Sequence, residues 1–250
     1  MLEVKNIQFW RHDTLIINDL SMTIPSGQMT GVIGPNGAGK STLLQLIAGL
    51  LAPSHGSIGF NGQDLIHCTA IARARFIGWL AQKNNIIWPL SVRDVLRLGT
   101  VDGSTVDDAR IISVLERLGL SRFSNRSVLS LSGGEQGLVM LARLLISDAP
   151  CLLVDEPLQS LDPAHQFHVL SLLKEEAAAG RCILMVCHDL TLAARYCERL
   201  VLIDQGRAMM HDDTQKVIGS GLIETSFNIN LQRFSANDDG ETYSALVAMR

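Results

Sequence analysis

The segment "GPNGAGKST", residues 34–42, decides the fold of this chain. It satisfies the phosphate-loop pattern G-x-x-x-x-G-K-[ST], and it lies between the predicted strand "MTGVIG" and the apolar helical run "LLQLIAGLL". Glycines allow such a loop to curl into a nest of backbone N–H donors around phosphate groups, and the helix that follows presents its positive end. The pattern therefore predicts a nucleotide-binding loop, although it does not by itself distinguish kinases, GTPases and motor ATPases.

Two side chains of this loop have predicted roles in binding. Lys40 is expected to reach the β and γ phosphates, and Ser41 is the expected ligand of Mg²⁺. A glycine turn that meets the pattern by chance is the alternative, and the flanking strand and helix argue against it. The loop residues predicted to bind nucleotide are Gly34, Pro35, Asn36, Gly37, Ala38, Gly39, Lys40, Ser41 and Thr42.

The composition predicts a globular protein and argues against a general nucleic-acid binder. Hydrophobic residues make up 47% of the 250 residues, and 21 basic against 25 acidic residues give a net charge of −4. The five cysteines are odd in number and lack the paired spacing of zinc or redox motifs, which favours a reducing compartment. We expect neither a signal peptide nor a membrane-spanning segment, because no apolar run approaches the required length.

Short apolar runs alternate with longer segments of helical period, which predicts an α/β fold built on a mostly parallel sheet. The runs are "MTGVIG", "CLLVDE", "CILMVCH" and "LVLID". Shorter, more alternating segments occupy the first sixty residues and the stretch from Ser57 to Gln82. These segments predict an antiparallel β layer beside the parallel sheet.

The strand signal disappears between Ser91 and Ser147, where capping residues and helical periods succeed one another. This pattern predicts an inserted helical subdomain at about residues 88–147. We expect a single domain over residues 1–250, with a hairpin-like tail at about 220–250 whose turn contains an Asp-Gly pair.

Polar side chains follow the predicted strands at the points where those strands end. "CLLVDEP" ends in two carboxylates, of which Asp155 is placed to hold Mg²⁺ through water and Glu156 to act as general base for the attacking water. Gln82 follows "FIGWLAQ" and is a candidate to orient Mg²⁺ and that water. His188 follows "CILMVCH" as a catalytic candidate, with a hydrogen-bonded structural histidine as the open alternative.

The stretch "LSLSGGEQGLVMLARLL", residues 129–145, opens an amphipathic helix. Ser132 and Glu135 have the spacing of a capping box, in which each side chain satisfies the other's free backbone N–H. Two adjacent glycines in a first turn are unusual, because each costs about 1 kcal/mol against alanine. A close approach to that backbone would explain Gly133 and Gly134.

Six motifs occur in the order found in the ATP-binding cassette (ABC) family, which the chain resembles over essentially its whole length. They are "GPNGAGKST", Gln82, "LSGGE", "CLLVDEP", "SLD" and His188. The resemblance implies a RecA-like P-loop core with an antiparallel β subdomain and an inserted helical subdomain. It also implies ATP hydrolysis coupled to a membrane transporter.

The resemblance explains the two glycines by a site shared between two chains. In the family, the "LSGGE" backbone closes over the γ phosphate of ATP that a second subunit holds, and a helix N-terminus suits an anion. The implied partner is a second copy of this chain, in a head-to-tail dimer with two ATP molecules sandwiched. The residues implied to touch nucleotide in this way are Leu131, Ser132, Gly133, Gly134, Glu135 and Asp162.

The chain departs from the family pattern at two positions. An ungapped comparison puts Arg11 where the family usually stacks adenine on an aromatic residue, and we predict that Trp10 takes that role instead. A core position in the β layer is the alternative for Trp10. After "LSGGEQ" the family commonly has arginine, and this chain has Gly137.

The segments "HDLTLAARYCERLVLIDQGR" and "SVRDVLRLG" look like those of iron-chelate and cobalamin importers, although the Arg-x-Pro-His run of those relatives is replaced by "TVDGST". The resemblance implies permease subunits as separate chains, a substrate-binding protein as an indirect partner, and a place on the cytoplasmic face of the inner or plasma membrane. A soluble ABC ATPase of a cofactor-assembly machine is the alternative. A kinase or GTPase would not need "LSGGE".

An apolar cluster follows Gln82 within "KNNIIWPLSVRDV". Its members, Ile86, Ile87, Trp88 and Leu90, lie where a loop is ordinarily polar. We predict that they help to receive a short helix of the membrane subunit. The alternative is that they are buried and hold the two subdomains together.

Overall fold

The computed structural model describes residues 1–82, 87–101, 106–158, 161–238 and 241–249. In chain order the strands are β1 (Leu2–Arg11), β2 (Thr14–Ile24), β3 (Met29–Ile33), β4 (His55–Phe60), β5 (Gln63–Asp64), β6 (Ile77–Leu80), β7 (Cys151–Asp155), β8 (Cys182–Val186), β9 (Arg199–Asp204), β10 (Arg207–Asp213), β11 (Asn230–Asp238) and β12 (Glu241–Met249). The helices are α1 (Lys40–Ala48), α2 (Ala70–Ala74), α3 (Val92–Arg97), α4 (Asp108–Arg117), α5 (Gly133–Ile146), α6 (Pro163–Ala178), α7 (Leu190–Tyr196), α8 (Thr214–Gly219) and α9 (Leu222–Phe227).

A six-stranded sheet forms the centre, in the order β10-β9-β3-β8-β7-β6, and only the edge strand β10 runs antiparallel to its neighbour. Strands β3, β7 and β8 are buried at every residue, which is why they read as continuous apolar runs in the sequence. Their alternate side chains enter two separate cores. Leu152 and Val154 pack with helices α5, α6 and α7, whereas Leu153 packs with α1 and the β layer. The α/β prediction is confirmed.

A four-stranded antiparallel sheet, in the order β2-β1-β4-β5, covers one side of the central sheet. The sequence prediction extended this layer to Gln82, and that extension is wrong. Strand β6 instead pairs in parallel with β7 at the edge of the central sheet. The segment "IGWL" is short and mostly buried, and no crossover helix of ordinary length precedes it. Periodicity alone therefore did not separate this strand from the β layer.

Helices α3, α4 and α5 lie between strands β6 and β7 in the chain and share one core cluster. Each begins at a capping residue: the side chains of Ser91, Asp107 and Ser132 accept backbone N–H groups of the first turns. Helix α6 likewise begins after Asp162 with Pro163 as its first residue. None of the helices in the described part of the chain is long and apolar enough to cross a membrane.

The strands β11 and β12 form a separate antiparallel hairpin that packs on helix α7. The hydroxyl of Thr191 on α7 donates to the carbonyl of Leu246 at 3.1 Å and accepts its N–H at 3.0 Å. Arg233 also donates to the carbonyl of Ile218, at the end of α8. These bonds fix the hairpin to helices α7 and α8. The Asp-Gly turn predicted for the tail lies outside the described residues.

Candidate active site

The phosphate loop joins the carboxyl end of β3 to the amino end of α1. Gly34 is required by space, because a Cβ atom there would lie 2.0 Å from the carbonyl oxygen of Ile203. Gly39 has a φ of +102° and precedes the helix as its N-cap without a side-chain cap, so the first N–H groups of α1 point into the loop. The loop thus has the shape that the sequence pattern predicts for holding phosphates.

Lys40 is buried beneath this loop. Its ammonium donates to the carbonyl oxygens of Gly34 at 2.7 Å and Pro35 at 2.9 Å. Burial lowers the pKa of Lys40, and the charges of Glu156 and Asp155 act in the opposite direction. The positive charge is therefore fixed inside the loop, close to two carboxylates.

Asp155 ends strand β7, which lies two strands from β3 in the sheet. Its carboxylate is 3% exposed and accepts the hydroxyl of Ser41 at 3.2 Å. Burial raises the pKa of Asp155, while the Ser41 hydrogen bond lowers it. Ser41 and Asp155, each predicted from the sequence to help hold Mg²⁺, are thus in contact.

Glu156, the residue after Asp155, is bonded from two sides. The amide of Gln82 donates to its Oε2 at 2.7 Å, and the Nε2 atom of His188 contacts its Oε1. Gln82 follows β6 and His188 follows β8, the two neighbours of β7. The backbone of Glu156 has a φ of +51°, a strained conformation for a residue with a side chain. Neighbouring parallel strands therefore bring the three predicted catalytic side chains into one cluster.

These residues line one cleft of about 510 Å³ with the phosphate loop. The lining residues are Arg11, Ile16, Asn36, Gly37, Gly39, Lys40, Ser41, Thr42, Gln82, Glu156 and His188. The segments of the central sheet that form the site all follow the carboxyl ends of parallel strands. Open α/β sheets bind their ligands at these ends. The cleft can hold a triphosphate with a carboxylate beside its outer end.

The amino end of α5 forms a second site. Ser132 accepts the N–H of Glu135 at 3.3 Å and donates its own N–H to the Glu135 carboxylate at 2.9 Å, so the predicted capping box is confirmed. The bond to the Ser132 backbone lowers the pKa of Glu135. A Cβ atom on Gly133 would meet nothing within 4 Å, so this helix end is open to an approaching group.

Asp162 lies beside this helix end, in the same cavity of about 260 Å³ as Ser132. It accepts the N–H of His165 at 2.9 Å and contacts the His165 ring at 2.8 Å; the backbone bond lowers the pKa of its carboxyl. Within the described residues, this cavity and the phosphate-loop cleft share no lining residue. The structure therefore brings Ser132 and Asp162 together, but apart from the phosphate loop of their own chain.

Trp10 is not brought to the cleft. Successive residues of a strand face opposite sides, and it is Arg11, the next residue of β1, that lines the cleft. The side chain of Trp10 is 48% exposed, so it does not occupy the core position considered as its alternative. Arg11 is the site residue that the sequence prediction passed over, although the ungapped comparison had marked its position.

Two members of the apolar cluster after Gln82 are exposed. Ile87 is 72% and Trp88 66% exposed, whereas Leu90 packs against the core. Ile86 lies outside the described residues. The cluster is therefore not buried as a whole between the two subdomains, which was the alternative considered from the sequence.

A groove of about 530 Å³ runs between the central sheet and the helical layer. We call it the interlayer groove. It is lined by the end of α1, by α2, by β6, by the residues after α3, and by one face of α5. Leu50, Ile71 and Leu98 are exposed apolar side chains along it. Strand β6 thus connects this groove to Gln82 at its carboxyl end.

Comparison with known proteins gives a consistent result. The sequence profile of the ABC transporter family matches residues 17–159. The hemin import ATP-binding protein HmuV of Pseudomonas entomophila is 36% identical over 239 residues, which cover 92% of this chain and 94% of that protein. The cobalamin import ATP-binding protein BtuD of Halobacterium salinarum is also 36% identical, over 91% of this chain and 58% of that longer protein.

Solved structures resemble the fold over most of the chain. An ATP-binding subunit of an ABC transporter superposes with a TM-score of 0.81 at 27% identity, over 90% of this chain and 95% of that one. A bacterial ABC transporter cassette solved as a dimer superposes with a TM-score of 0.77 at 26% identity, over 86% and 99%. A metal-chelate type ABC transporter, inward-facing, matches 100% of this chain and 97% of its own with a TM-score of 0.83; at 24% identity it supports the fold alone.

Proposed function

We propose, from the premise that this chain belongs to the ABC transporter family, that it drives a membrane importer of haem, another iron chelate or cobalamin. The chain is an ATP-binding and ATP-hydrolysing subunit of the kind that these relatives represent. The observation that carries the catalytic part is the convergence of Gln82 and His188 on the Glu156 carboxylate, beside Lys40 and the phosphate loop. The transported class rests on the two relatives, which are named for import of hemin and of cobalamin.

In this proposal Glu156 is the general base for the water that attacks the γ phosphate. An ionised carboxylate accepts the water's proton, and its two hydrogen-bonded neighbours keep its oxygens aimed into the cleft. Lys40 and the N–H groups of the loop bind the phosphates and favour the charge that develops on them. The role of His188 is to position Glu156 and the γ phosphate.

The residues present fit Mg²⁺. Oxygen donors are the ligands that this ion prefers, and the Ser41 hydroxyl already lies 3.2 Å from the Asp155 carboxylate. We propose that Ser41 holds the ion directly, that Asp155 holds it through water, and that Gln82 is its third partner. When bound, the ion neutralises phosphate charge in the transition state.

We propose that the working unit is a dimer of this chain with permease subunits. The separation of the Ser132 cavity from the phosphate-loop cleft supports this, because a helix end open to an anion then serves the nucleotide of a second copy. Asp162 and the "LSGGE" residues share that surface. The dimeric cassette among the related structures is consistent with the arrangement.

The membrane subunits are proposed to dock at the interlayer groove and on the exposed side chains of Ile87 and Trp88. We also propose that the chain lies on the cytoplasmic face of the membrane. Exposed apolar and aromatic side chains flanked by polar ones suit a protein interface. Movement of Gln82 on nucleotide binding would reach the groove through β6. Substrate delivery by a separate binding protein follows from the importer assignment.

Reconstitution tests this function. The chain is purified with the membrane protein that accompanies it, the complex is placed in vesicles, and ATP-dependent uptake of labelled haem and cobalamin is measured. We expect uptake of one of the two, abolished by Lys40→Ala. Co-purification with soluble scaffold proteins and no membrane subunit would instead support an ATPase of a cofactor-assembly machine.

A further inference from the structure

We propose that Cys187 and Cys197 form a peroxide-sensitive pair, and that their oxidation to a disulfide stops hydrolysis at the neighbouring His188. Formation of the bond does not depend on the proposed function, whereas its effect on hydrolysis rests on the roles proposed for His188 and Glu156. The spacing of the two cysteines in the chain matches no short redox motif, so it is the fold that makes them a pair.

The two cysteines lie on the same face of the central sheet, over strand β3. Cys187 follows β8, and its N–H donates to the carbonyl of Val32 on β3 at 3.0 Å. Cys197 follows helix α7 directly, and its Sγ would lie 2.9 Å from a Cβ atom built on Gly31. Both side chains belong to the core cluster that packs beneath helices α5, α6 and α7. The missing side chain of Gly31 thus makes room for the second thiol beside the first.

The two thiols are free and in contact with each other. A hydrogen bond with the Cys187 thiol, together with burial, raises the pKa of Cys197. Cys197 is therefore a protonated, weakly nucleophilic thiol at neutral pH. The Sγ atom of Cys187 also lies 3.7 Å from the carbonyl oxygen of Met185.

A cavity of about 300 Å³ reaches Cys187 from the catalytic cluster. We call it the thiol cavity. It is lined by Cys187, His188 and Glu156 and by apolar side chains of the adjoining segments, and Cys197 is not among its described lining residues. Hydrogen peroxide is little larger than a water molecule and fits such a space. Cys187 is therefore the thiol that meets peroxide first.

The oxidation has two steps. The sulfur of Cys187 attacks one oxygen of hydrogen peroxide, so that an S–O bond forms, the O–O bond breaks, and the displaced hydroxyl leaves with the thiol proton as water. The sulfur of Cys197 then attacks the resulting sulfenic acid: an S–S bond forms, the S–O bond breaks, and the hydroxyl leaves with the Cys197 proton as a second water. Two thiols lose two electrons, and one peroxide is reduced to two waters.

The new bond would join the two ends of the segment that contains His188 and helix α7. Bonded sulfurs lie about 2.05 Å apart, closer than two thiols in contact, so Cys187 has to move toward Cys197. His188 moves with its neighbour and leaves the Glu156 carboxylate, which its Nε2 atom contacts in the reduced chain. The phosphate loop lies outside this segment, so ATP binding should persist.

Cys151 and Cys182 provide a matched control pair. They are paired in register on β7 and β8, and their thiols are also in contact. Both are fully buried, however, and neither is a described lining residue of the thiol cavity. The control pair therefore has the proximity of Cys187 and Cys197 without the access.

Treatment of the full chain with hydrogen peroxide tests the proposal. Peptide mapping by mass spectrometry locates any disulfide, and ATP hydrolysis and ATP binding are measured on the same sample before and after reduction with dithiothreitol. The variants are Cys187→Ala, Cys197→Ala and, as the control, Cys151→Ala. Dimedone, which reacts with sulfenic acids, is added to the Cys197→Ala sample.

We expect a Cys187–Cys197 disulfide and a loss of hydrolysis on the order of tenfold to a hundredfold, because small displacements at a catalytic contact have effects of this size. ATP affinity should be unchanged, and dithiothreitol should restore hydrolysis. Cys187→Ala should hydrolyse ATP normally and resist peroxide, whereas Cys151→Ala should be inactivated like the unaltered chain. In Cys197→Ala, dimedone should label Cys187.

The proposal fails if mapping finds no Cys187–Cys197 disulfide, or finds one equally at Cys151 and Cys182. Full hydrolysis by the cross-linked chain, or equal inactivation of Cys187→Ala, would also overturn it. Failure of the proposed function looks different: the reduced chain then hydrolyses no ATP, while the disulfide still forms on peroxide treatment.

Discussion

At the scale of single residues, the chemistry depends on how Glu156 is held. Its backbone lies in the left-handed region, and its side chain is 8% exposed between Gln82 and His188. A strained backbone persists only where surrounding contacts fix it, and here two neighbouring strands supply them. The Glu156 side chain thus lines the same cleft as the phosphate loop.

Replacement of Glu156 by glutamine tests its role as base. The amide keeps the shape of the side chain but cannot accept a proton, so turnover should fall about 10²–10⁴-fold while ATP affinity stays near that of the unaltered chain. Glu116→Gln, on the exposed side of α4, is the matched control and should hydrolyse ATP normally. Hydrolysis by Glu156→Gln at the original rate would remove Glu156 from the proposed role.

We expect the buried carboxylate of Asp155 to lower the stability of the folded chain at neutral pH, although hydrolysis needs this residue. Burial raises its pKa above the ordinary 3.8, so the folded chain binds this proton more tightly than the unfolded chain. The stabilising protonated form is lost as pH rises through the folded-state pKa. At neutral pH the buried charge is therefore destabilising.

We expect Asp155→Asn to raise the Tm at neutral pH and to converge with the unaltered chain at about pH 4 and below, while hydrolysis is lost. Thermal unfolding without nucleotide, followed across that pH range, measures this. Asp148→Asn is the control with the opposite sign, because its hydrogen bond to Arg110 lowers the pKa of Asp148. A lower Tm for Asp155→Asn at neutral pH would contradict the account.

At the scale of elements, the sequence predicted what local chemistry determines. The phosphate loop, the cap at Ser132 and the buried strands all follow from spacing and residue type. The sequence did not predict which sheet β6 would join, because short apolar segments carry no information about their partners. The sequence also did not predict which side chain at the end of β1 faces the cleft. Register shifts along β1 determine whether that side chain is Trp10 or Arg11.

The same limit applies to the site. Motif order identified Gln82, Glu156 and His188 as separate candidates, but their convergence depends on β6, β7 and β8 being neighbours in the sheet. Sequence separation between these residues is large, and strand order is a tertiary property. The sequence therefore named these three residues as candidates, and only the fold showed that they contact one another.

The exposed side chain of Trp88 belongs to the connection between β6 and α3. We expect Trp88→Ala to weaken association with the membrane subunits and to uncouple transport from hydrolysis, because truncating an exposed interface aromatic removes contact with the partner. Basal ATPase activity and Tm of the isolated chain should change little, since the side chain is 66% exposed.

Met209→Ala is the matched control for Trp88→Ala, because Met209 is an exposed apolar residue of β10, at the opposite edge of the central sheet from β6. Co-purification and vesicle uptake should be normal in that variant. A large drop in Tm for Trp88→Ala with normal assembly would show that this residue stabilises the fold instead of binding the permease.

At the scale of the whole molecule, one chain carries two half-sites that face different clefts. The phosphate loop, with its catalytic cluster, forms one half, and the amino end of α5 with Asp162 forms the other. A two-fold axis that joins the first half of one chain to the second half of another makes two equivalent ATP sites. In the proposed dimer, hydrolysis requires two chains, and nucleotide binding requires one.

Sedimentation of the Glu156→Gln chain with Mg²⁺ and ATP tests this central claim most directly. The account predicts a dimer that forms with ATP and not with ADP, and a monomer that still binds ATP when Ser132→Arg is added. Ser132→Asp should also give a monomer that binds ATP, because aspartate still caps the helix but repels the partner's γ phosphate. A chain that stays monomeric at saturating ATP, or a Ser132→Arg variant that loses ATP binding yet still dimerises, would contradict the shared site.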